Sequence, residues 1–248
     1  MSAPRLSLPA LLLAGVSTPA LAQAVAADQD RVVEEMVITS PLRTATPISE
    51  ITRSVSVITQ RDLTIQRALD RSAGAVLAQK IPGFSPSTEA LSNFGQQLRG
   101  RNFLTLIDGI PQGTPLRNGQ RSLQSVDIDA VERIEVIRGG SAIYGFGADG
   151  GLINYITKRP SDQGLTVSGR AGVSVSTNQF TDSAEWNTHL QVAGRQDRVD
   201  YLVSGTFVSR GNTFDSEGTR RPVDPLGAQG SLDESDEYNV LTKLGFQI

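Results

Sequence analysis

From Gly164 to Ile248, apolar and polar residues alternate in four separate runs. Strict alternation predicts β-strands that present one face to an apolar environment and the other to a polar one. Each run extends over about ten residues, the length that a tilted strand needs to cross a bilayer. The runs start at Leu165, Trp186, Tyr201 and Tyr238.

The connections between these runs differ in length. Gln196–Arg198 is a very short connection, whereas Gly211–Asp236 is long and polar. Short turns on one side and long loops on the other are typical of outer-membrane barrels, although a soluble antiparallel sheet also alternates. Four strands are too few to surround a domain, since plugged barrels use about 22. We therefore expect residues 161–248 to be the first strands of an incomplete barrel, from a fragment or a truncated product.

A different composition precedes the alternating runs, and it predicts a compact α+β domain over residues 48–160. Thr59 with Asp62 forms a capping-box pattern, and apolar spacings predict one helix from there to Pro82. The predicted strands are Ser54–Ile58, Leu104–Asp108, Arg133–Ile137 and Gly151–Thr157. The predicted fold class is thus an α+β domain followed by antiparallel transmembrane β-barrel strands.

The N-terminus has the features of a secretory signal peptide over residues 1–22. Arg5 precedes a short apolar run, and Ala20-Leu21-Ala22 matches the A-x-A cleavage pattern. A membrane anchor is the alternative, but Pro9 interrupts the run, which is also too short. We expect export from the cytoplasm and a mature chain that begins at Gln23.

Composition excludes several kinds of site. The sequence has no cysteine and one histidine, so zinc-finger and thiol chemistry are excluded. That histidine, His189, lies in an alternating run and is interpreted as a residue of the barrel wall. A formal net charge of -3 argues against a nucleic-acid partner. No metal, cofactor or catalytic group is predicted.

One glycine motif suggests a different function. Gly145, Gly147 and Gly150 match G-x-G-x-x-G, the dinucleotide-binding fingerprint. The fingerprint requires a helix after the glycines, yet Leu152–Thr157 is strand-like sequence. A secreted dinucleotide-binding enzyme is therefore the weaker alternative, and the glycines are better explained by tight turns and close backbone approach.

The segment Val131–Lys158 resembles the signature of TonB-dependent receptor plug domains. Three further motifs stand upstream in the family's order: Ile81–Phe84, Leu98–Arg101 and Leu106–Pro111. The resemblance implies a plug inside an outer-membrane barrel, in contact with outer-membrane lipid. It implies no enzyme, but energised uptake of a ferric siderophore of the hydroxamate or citrate-hydroxamate type, such as aerobactin. The partners would be TonB and, through it, the ExbB–ExbD motor. A secreted plug remnant that only binds TonB is the remaining alternative.

The resemblance also assigns roles to particular residues. A TonB box within the 23–47 extension would comprise Glu34, Glu35, Met36, Val37, Ile38 and Thr39. Such an extended segment can add as a strand to a partner's sheet, although an ordinary first strand is the alternative. An electrostatic lock between plug and barrel would comprise Arg99, Arg101, Glu132, Glu135 and Arg138.

Ligand binding is expected on the plug's apical loops, Ser87–Gln96 and Gln112–Gln124. Arginine and amide donors suit an anionic, oxygen-rich chelate. The candidate residues are Asn93, Arg117, Asn118, Gln120 and Arg121. A polar loop without any ligand is an equally acceptable interpretation of each of them.

Overall fold

The structure, a computed structural model, describes residues 37–38, 46–47, 53–86, 95–112, 126–142, 144, 147–160, 164–221 and 234–246. Strand β1 (Val37–Ile38) pairs antiparallel with β2 (Thr46–Pro47) in a two-stranded sheet. The remaining strands form two larger sheets, which we call the plug sheet and the wall sheet.

The plug sheet has five strands in the order β3-β6-β7-β4-β5. Its strands are β3 (Val55–Ile58), β4 (Phe103–Ile107), β5 (Ile110–Pro111), β6 (Val131–Arg138) and β7 (Gly151–Thr157). β4 runs parallel to β7, and the other neighbours are antiparallel. Consequently the start of β6 and the ends of β4 and β7 lie at the same end of the sheet.

Two short helices cover one face of this sheet, where the sequence predicted one long helix. α1 (Gln60–Gln66) begins at the expected capping box of Thr59 and Asp62, and α2 (Ala73–Lys80) ends before Pro82. The single-helix prediction was wrong between them because Asp70 accepts a hydrogen bond from the Ser72 backbone N–H at 2.7 Å. Such local side-chain bonds compete with the helical ladder.

The main hydrophobic core lies between the two helices and the plug sheet. Leu63 and Leu77 of the helices are fully buried there, as are Ile134 and Tyr155 of the central strands. A smaller apolar cluster covers the other face around Leu106 and Leu152. Burial on both faces explains why β7 is almost continuously apolar instead of alternating.

The wall sheet is an antiparallel meander of four long strands in the order β11-β10-β9-β8. They are β8 (Thr166–Ser174), β9 (Glu185–Gln196), β10 (Val199–Arg210) and β11 (Ser235–Phe246). A tight turn at Asp197, with φ of 55°, joins β9 to β10 as the sequence predicted. The four expected strands and the fold class are confirmed.

The two faces of the wall sheet differ in polarity. Exposed apolar side chains line the outer face, with Tyr238, Val240 and Phe246 each more than 70% exposed. The inner face carries polar side chains that are buried, among them Asn187, His189 and Thr206. This is the alternation that the sequence showed, and it places His189 in the wall as predicted. Among the described residues, neither α1 nor α2 has the length and hydropathy of a membrane-spanning helix.

Candidate functional site

The plug contacts the wall sheet at a 3₁₀ helix, Ile128–Ala130, which leads directly into β6. Asp127 caps this turn, its carboxylate accepting the Asp129 backbone N–H at 3.0 Å. The Asp129 side chain is only 1% exposed and accepts from three arginines. Arg67 lies at 2.9 Å, while Arg71 and Arg170 each lie at 2.6 Å. Arg67 and Arg71 belong to the plug, but Arg170 belongs to β8 of the wall.

Further polar contacts extend this joint to the next two wall strands. The Thr206 hydroxyl of β10 donates to the Asp127 carboxylate at 2.5 Å and lies 2.7 Å from His189 Nδ1 of β9. Arg71 also donates to the Asn187 side-chain oxygen of β9 at 3.2 Å. One turn of the plug is therefore connected to β8, β9 and β10, and we call this set of contacts the Asp129 joint.

A second set of contacts reaches β11. Lys243 Nζ lies 3.1 Å from the Asp108 carboxylate and donates to the Thr157 carbonyl at 3.2 Å. Asp108 follows β4 with a positive φ of 49° and accepts from both the backbone N–H and the hydroxyl of Thr157. The contact thus ties the ends of β4 and β7 to the wall.

The charges at the Asp129 joint are strongly coupled. Burial by itself would raise the pKa of the Asp129 carboxyl, but the positive charges of Arg71, Arg170 and Arg67 outweigh it and hold that pKa below its ordinary value. Burial lowers the pKa of Lys158 nearby, and the charge of Arg67 lowers it further. Asp129 is therefore held as a carboxylate that offsets buried cationic charge.

The arginines predicted to lock the plug lie at the opposite end of the plug sheet. Arg138 ends β6 and donates to the Ser56 hydroxyl, while Arg99 has a φ of 54° beside Gly83. Burial and the charge of Arg99 lower the pKa of Arg138, so the structure brings these two cations near each other. Arg101, two residues after Arg99, is exposed.

The two glutamates of the proposed lock lie elsewhere in β6. Glu132 and Glu135 both pair with Arg133, at 3.0 and 2.9 Å. Glu135 is 1% exposed and also accepts from the Asn154 amide at 3.3 Å, while the Asn154 oxygen accepts the Gly109 backbone N–H. The structure thus places both glutamates in polar contacts within the plug sheet.

Of the glycines in the dinucleotide-like motif, Gly150 serves close backbone packing, Gly147 has a positive φ of 100° with open space at its Cβ position, and Gly145 lies outside the described residues. A Cβ on Gly150 would lie 2.7 Å from the Leu98 carbonyl oxygen, and one on Gly151 would lie 2.2 Å from that of Ile137. Strand β7 follows them, where a dinucleotide site requires a helix. The structure therefore gives no support to the dinucleotide-binding alternative.

Replacing Gly150 by alanine is expected to destabilise the plug by about 2–3 kcal/mol, because three backbone carbonyls lie within 3.0 Å of the new methyl group. Gly164→Ala is the matched control, since nothing lies within 4 Å of its Cβ position. The protease resistance of the plug, measured in the purified receptor at increasing urea concentrations, would give the difference in stability. Equal midpoints for the two variants would contradict this packing argument.

Several predicted site residues lie outside the described residues. For the TonB box these are Glu34, Glu35, Met36 and Thr39, while Val37 and Ile38 form strand β1. The ligand candidates outside them are Asn93, Arg117, Asn118, Gln120 and Arg121.

Sequence reasoning missed the Asp129 joint altogether. Its local signal was Asp127-Ile128-Asp129, in which two acids flank an apolar residue directly before the β6 motif. Asp127 was recognisable as a capping residue of the kind that begins helical turns. The partners of Asp129 carried no such signal, because they are separated from it by 41 to 62 residues along the chain.

Comparison with known proteins agrees with this architecture. The family model of the TonB-dependent receptor plug domain matches residues 47–152. A rhizobactin receptor of Rhizobium meliloti (strain 1021) is 32% identical over 243 residues, which cover 91% of this chain and 32% of the relative. A ferric aerobactin receptor of Klebsiella pneumoniae is 29% identical over 223 residues, covering 89% of this chain and 29% of that protein. The chain spans about a third of the length of these relatives.

Solved structures share the fold. The siderophore receptor PirA from Pseudomonas aeruginosa superposes with a TM-score of 0.52 at 24% identity, over 80% of this chain and 33% of that one. Matches to both the sequence of the plug and the arrangement of plug and wall strands lead to one assignment. Residues 47–152 are a TonB-dependent receptor plug domain, and the chain as a whole is similar to receptors of this kind.

Proposed function

We propose that this chain is the N-terminal part of an outer-membrane receptor that takes up a ferric siderophore with energy supplied through TonB. The observation that carries the proposal is a plug seated on the polar face of a sheet whose other face is apolar and exposed. Strands of this length and alternation suit a bilayer on one side and a filled lumen on the other.

The ligand class rests on the relatives and on the chemistry of one loop. The relatives are named as receptors for rhizobactin and ferric aerobactin. Residues 112–124 carry Arg117, Asn118, Gln120 and Arg121, which supply the donors that an anionic, oxygen-rich chelate requires. We infer a ferric siderophore of the hydroxamate or citrate-hydroxamate type.

The coupling segment is Glu34–Thr39. Its centre, Val37–Ile38, is extended and, among the described residues, pairs antiparallel with Thr46 and Pro47. An extended peptide of this kind can add as a strand to a partner's sheet edge. TonB, driven by ExbB–ExbD, is the partner that we propose for it.

Uptake of radioactive ferric aerobactin tests the proposal directly. The complete gene would be expressed in a strain lacking its own siderophore receptors, with and without TonB. We expect accumulation only when both the receptor and TonB are present. Ferric enterobactin and haemin in parallel would define the class, because uptake of either in place of ferric aerobactin would contradict the ligand that we propose.

Export provides an independent prediction. The A-x-A pattern at Ala20–Ala22 should direct cleavage after Ala22, so the envelope form should begin at Gln23. N-terminal sequencing of protein from isolated outer membranes measures this. Intact protein that retains Met1 in the cytoplasm would show that residues 1–22 are not a signal peptide.

A further inference from the structure

The two ion pairs described above between the plug and the wall, Asp129–Arg170 and Asp108–Lys243, come from one end of the plug sheet. The hydrogen bonds of Asp127 with Thr206 and of Thr157 with Lys243 come from the same end. These contacts fasten the plug to β8–β11 at that end of the sheet. Arg99, Arg101 and Arg138 lie at the other end.

Within this fastened end, the Asp129 carboxylate connects the most elements. It accepts from Arg67 at the end of α1, from Arg71 in the link to α2 and from Arg170 on the wall. We propose that Asp129 is the positioning residue that fixes the plug against β8 through Arg170 and against β9 through Arg71. This inference rests on the proposed function in one respect, namely that β8–β11 form part of a barrel wall around the plug.

The electrostatics of the joint explain why a single residue can have this role. Three guanidinium groups share the Asp129 carboxylate, and Asp127 beside it supplies a second negative charge. Arg67 and Arg71 are each 10% exposed, so water cannot readily replace the carboxylate. Removing the charge of Asp129 leaves the positive charges of its arginines buried side by side. Loss of the buried partner of an ion pair is strongly destabilising, because it leaves uncompensated charge.

The joint has two separate connections to the wall, which we call struts. The first is formed by Asp129 and its arginines. The second does not involve Asp129: Asp127 accepts a hydrogen bond from Thr206, which contacts His189. This strut reaches β10 and β9, whereas the arginine contacts reach β8 and, through Asn187, β9. The plug turn should therefore loosen progressively as the contacts are removed, and it should be released when both struts are lost.

The experiment measures plug docking separately from barrel folding in the full-length receptor, in detergent micelles. Spin labels at Arg61→Cys on α1 and Thr188→Cys on β9 report the distance between plug and wall. Both positions are exposed and outside the joint, and residues 1–248 contain no cysteine of their own. The shift of the folded barrel on unheated gels confirms that each variant has folded.

We expect Asp129→Asn to raise the population of undocked plug on the order of 100-fold, with an unchanged barrel. Arg170→Gln should raise it less, on the order of 10-fold, because Arg67 and Arg71 remain on the carboxylate. Adding Arg170→Gln to Asp129→Asn should have little further effect, since the pair is already broken. Asp129→Glu should restore most of the docking.

Two further variants complete the design. Asp149→Asn is the matched control, because it removes an exposed acid of the plug at the opposite end of the sheet. Thr206→Val removes the second strut from the wall side and should combine with Asp129→Asn to release the plug turn, while Lys243 of β11 still holds Asp108. It also provides a test on a wall residue if the Asp129 variant does not fold.

Two results would overturn the inference. The first is a distance between the two spin labels that equals the wild-type distance in both Asp129→Asn and the double variant of Asp129→Asn with Thr206→Val. The second is additive effects of Asp129→Asn and Arg170→Gln. A wild-type receptor that docks its plug normally but takes up no ferric siderophore would contradict the proposed function alone. Normal uptake with unchanged docking in the variants would contradict this inference alone.

Discussion

Replacing Val37 by proline is expected to abolish uptake by the complete receptor while leaving ligand binding intact. Val37 lies at the centre of the proposed TonB box, in extended backbone that already pairs as a strand. Proline has no backbone N–H and cannot occupy the middle of an added strand. Uptake should fall to the level of a strain without TonB, since the motor could no longer engage the segment.

Binding and transport must be measured separately in this experiment. Binding of ferric aerobactin to whole cells without energy should match the wild type, because residues 37–38 are not among the candidate ligand residues. Val37→Thr is the matched control: it keeps the N–H and the β-branched shape, so uptake should be retained. Normal uptake by Val37→Pro would show that Glu34–Thr39 is not the coupling segment.

Residues 23–248 expressed alone are expected to form no stable channel. In the described wall sheet, β8 and β11 are both edge strands, and a four-stranded meander leaves their outer backbone groups without sheet partners. In hydrocarbon each such group costs several kcal/mol, so only closed barrels are stable there. In water the exposed apolar face, with Val240 at 78% exposure, should promote aggregation instead.

Comparing residues 23–160 with residues 23–248 separates these effects. The shorter chain should be soluble and loosely packed, because Asp129 loses its ion pair with Arg170 and Asp127 loses its hydrogen bond with Thr206. The longer chain should be insoluble without detergent and should give no steady conductance in planar bilayers. Steady channels from the longer chain would mean that several copies complete one barrel, and this outcome would contradict the fragment interpretation.

The wall strands were predictable from sequence because their environment imposes a period of two. Each strand between Thr166 and Phe246 has an apolar outer face and a polar inner face, so the polarity of each residue indicates the face on which it lies. The capping box at Thr59 and the turn at Asp197 were predictable for a related reason. Both depend on residues within a few positions of each other.

The split between α1 and α2 was decided by contacts that periodicity does not contain. Apolar spacing continues through Ala68 and Leu69, yet Asp70 bonds to the Ser72 backbone and Arg71 reaches Asp129. A helix through this segment would have to give up the Asp70–Ser72 bond. The tertiary structure therefore overrode a local preference that is worth only fractions of a kcal/mol per residue.

The sequence by itself determined the strands, the plug motifs and the family, since each depends on local patterns of polarity, turn geometry and residue identity. Only the tertiary structure decided where the plug meets the wall. It places the predicted lock arginines Arg99 and Arg138 at one end of the plug sheet and the contacts with β8–β10 at the other. The physical reason is that an ion pair such as Asp129 with Arg170 depends on two folded elements meeting in space, and charge at one position does not specify its partner 41 residues away.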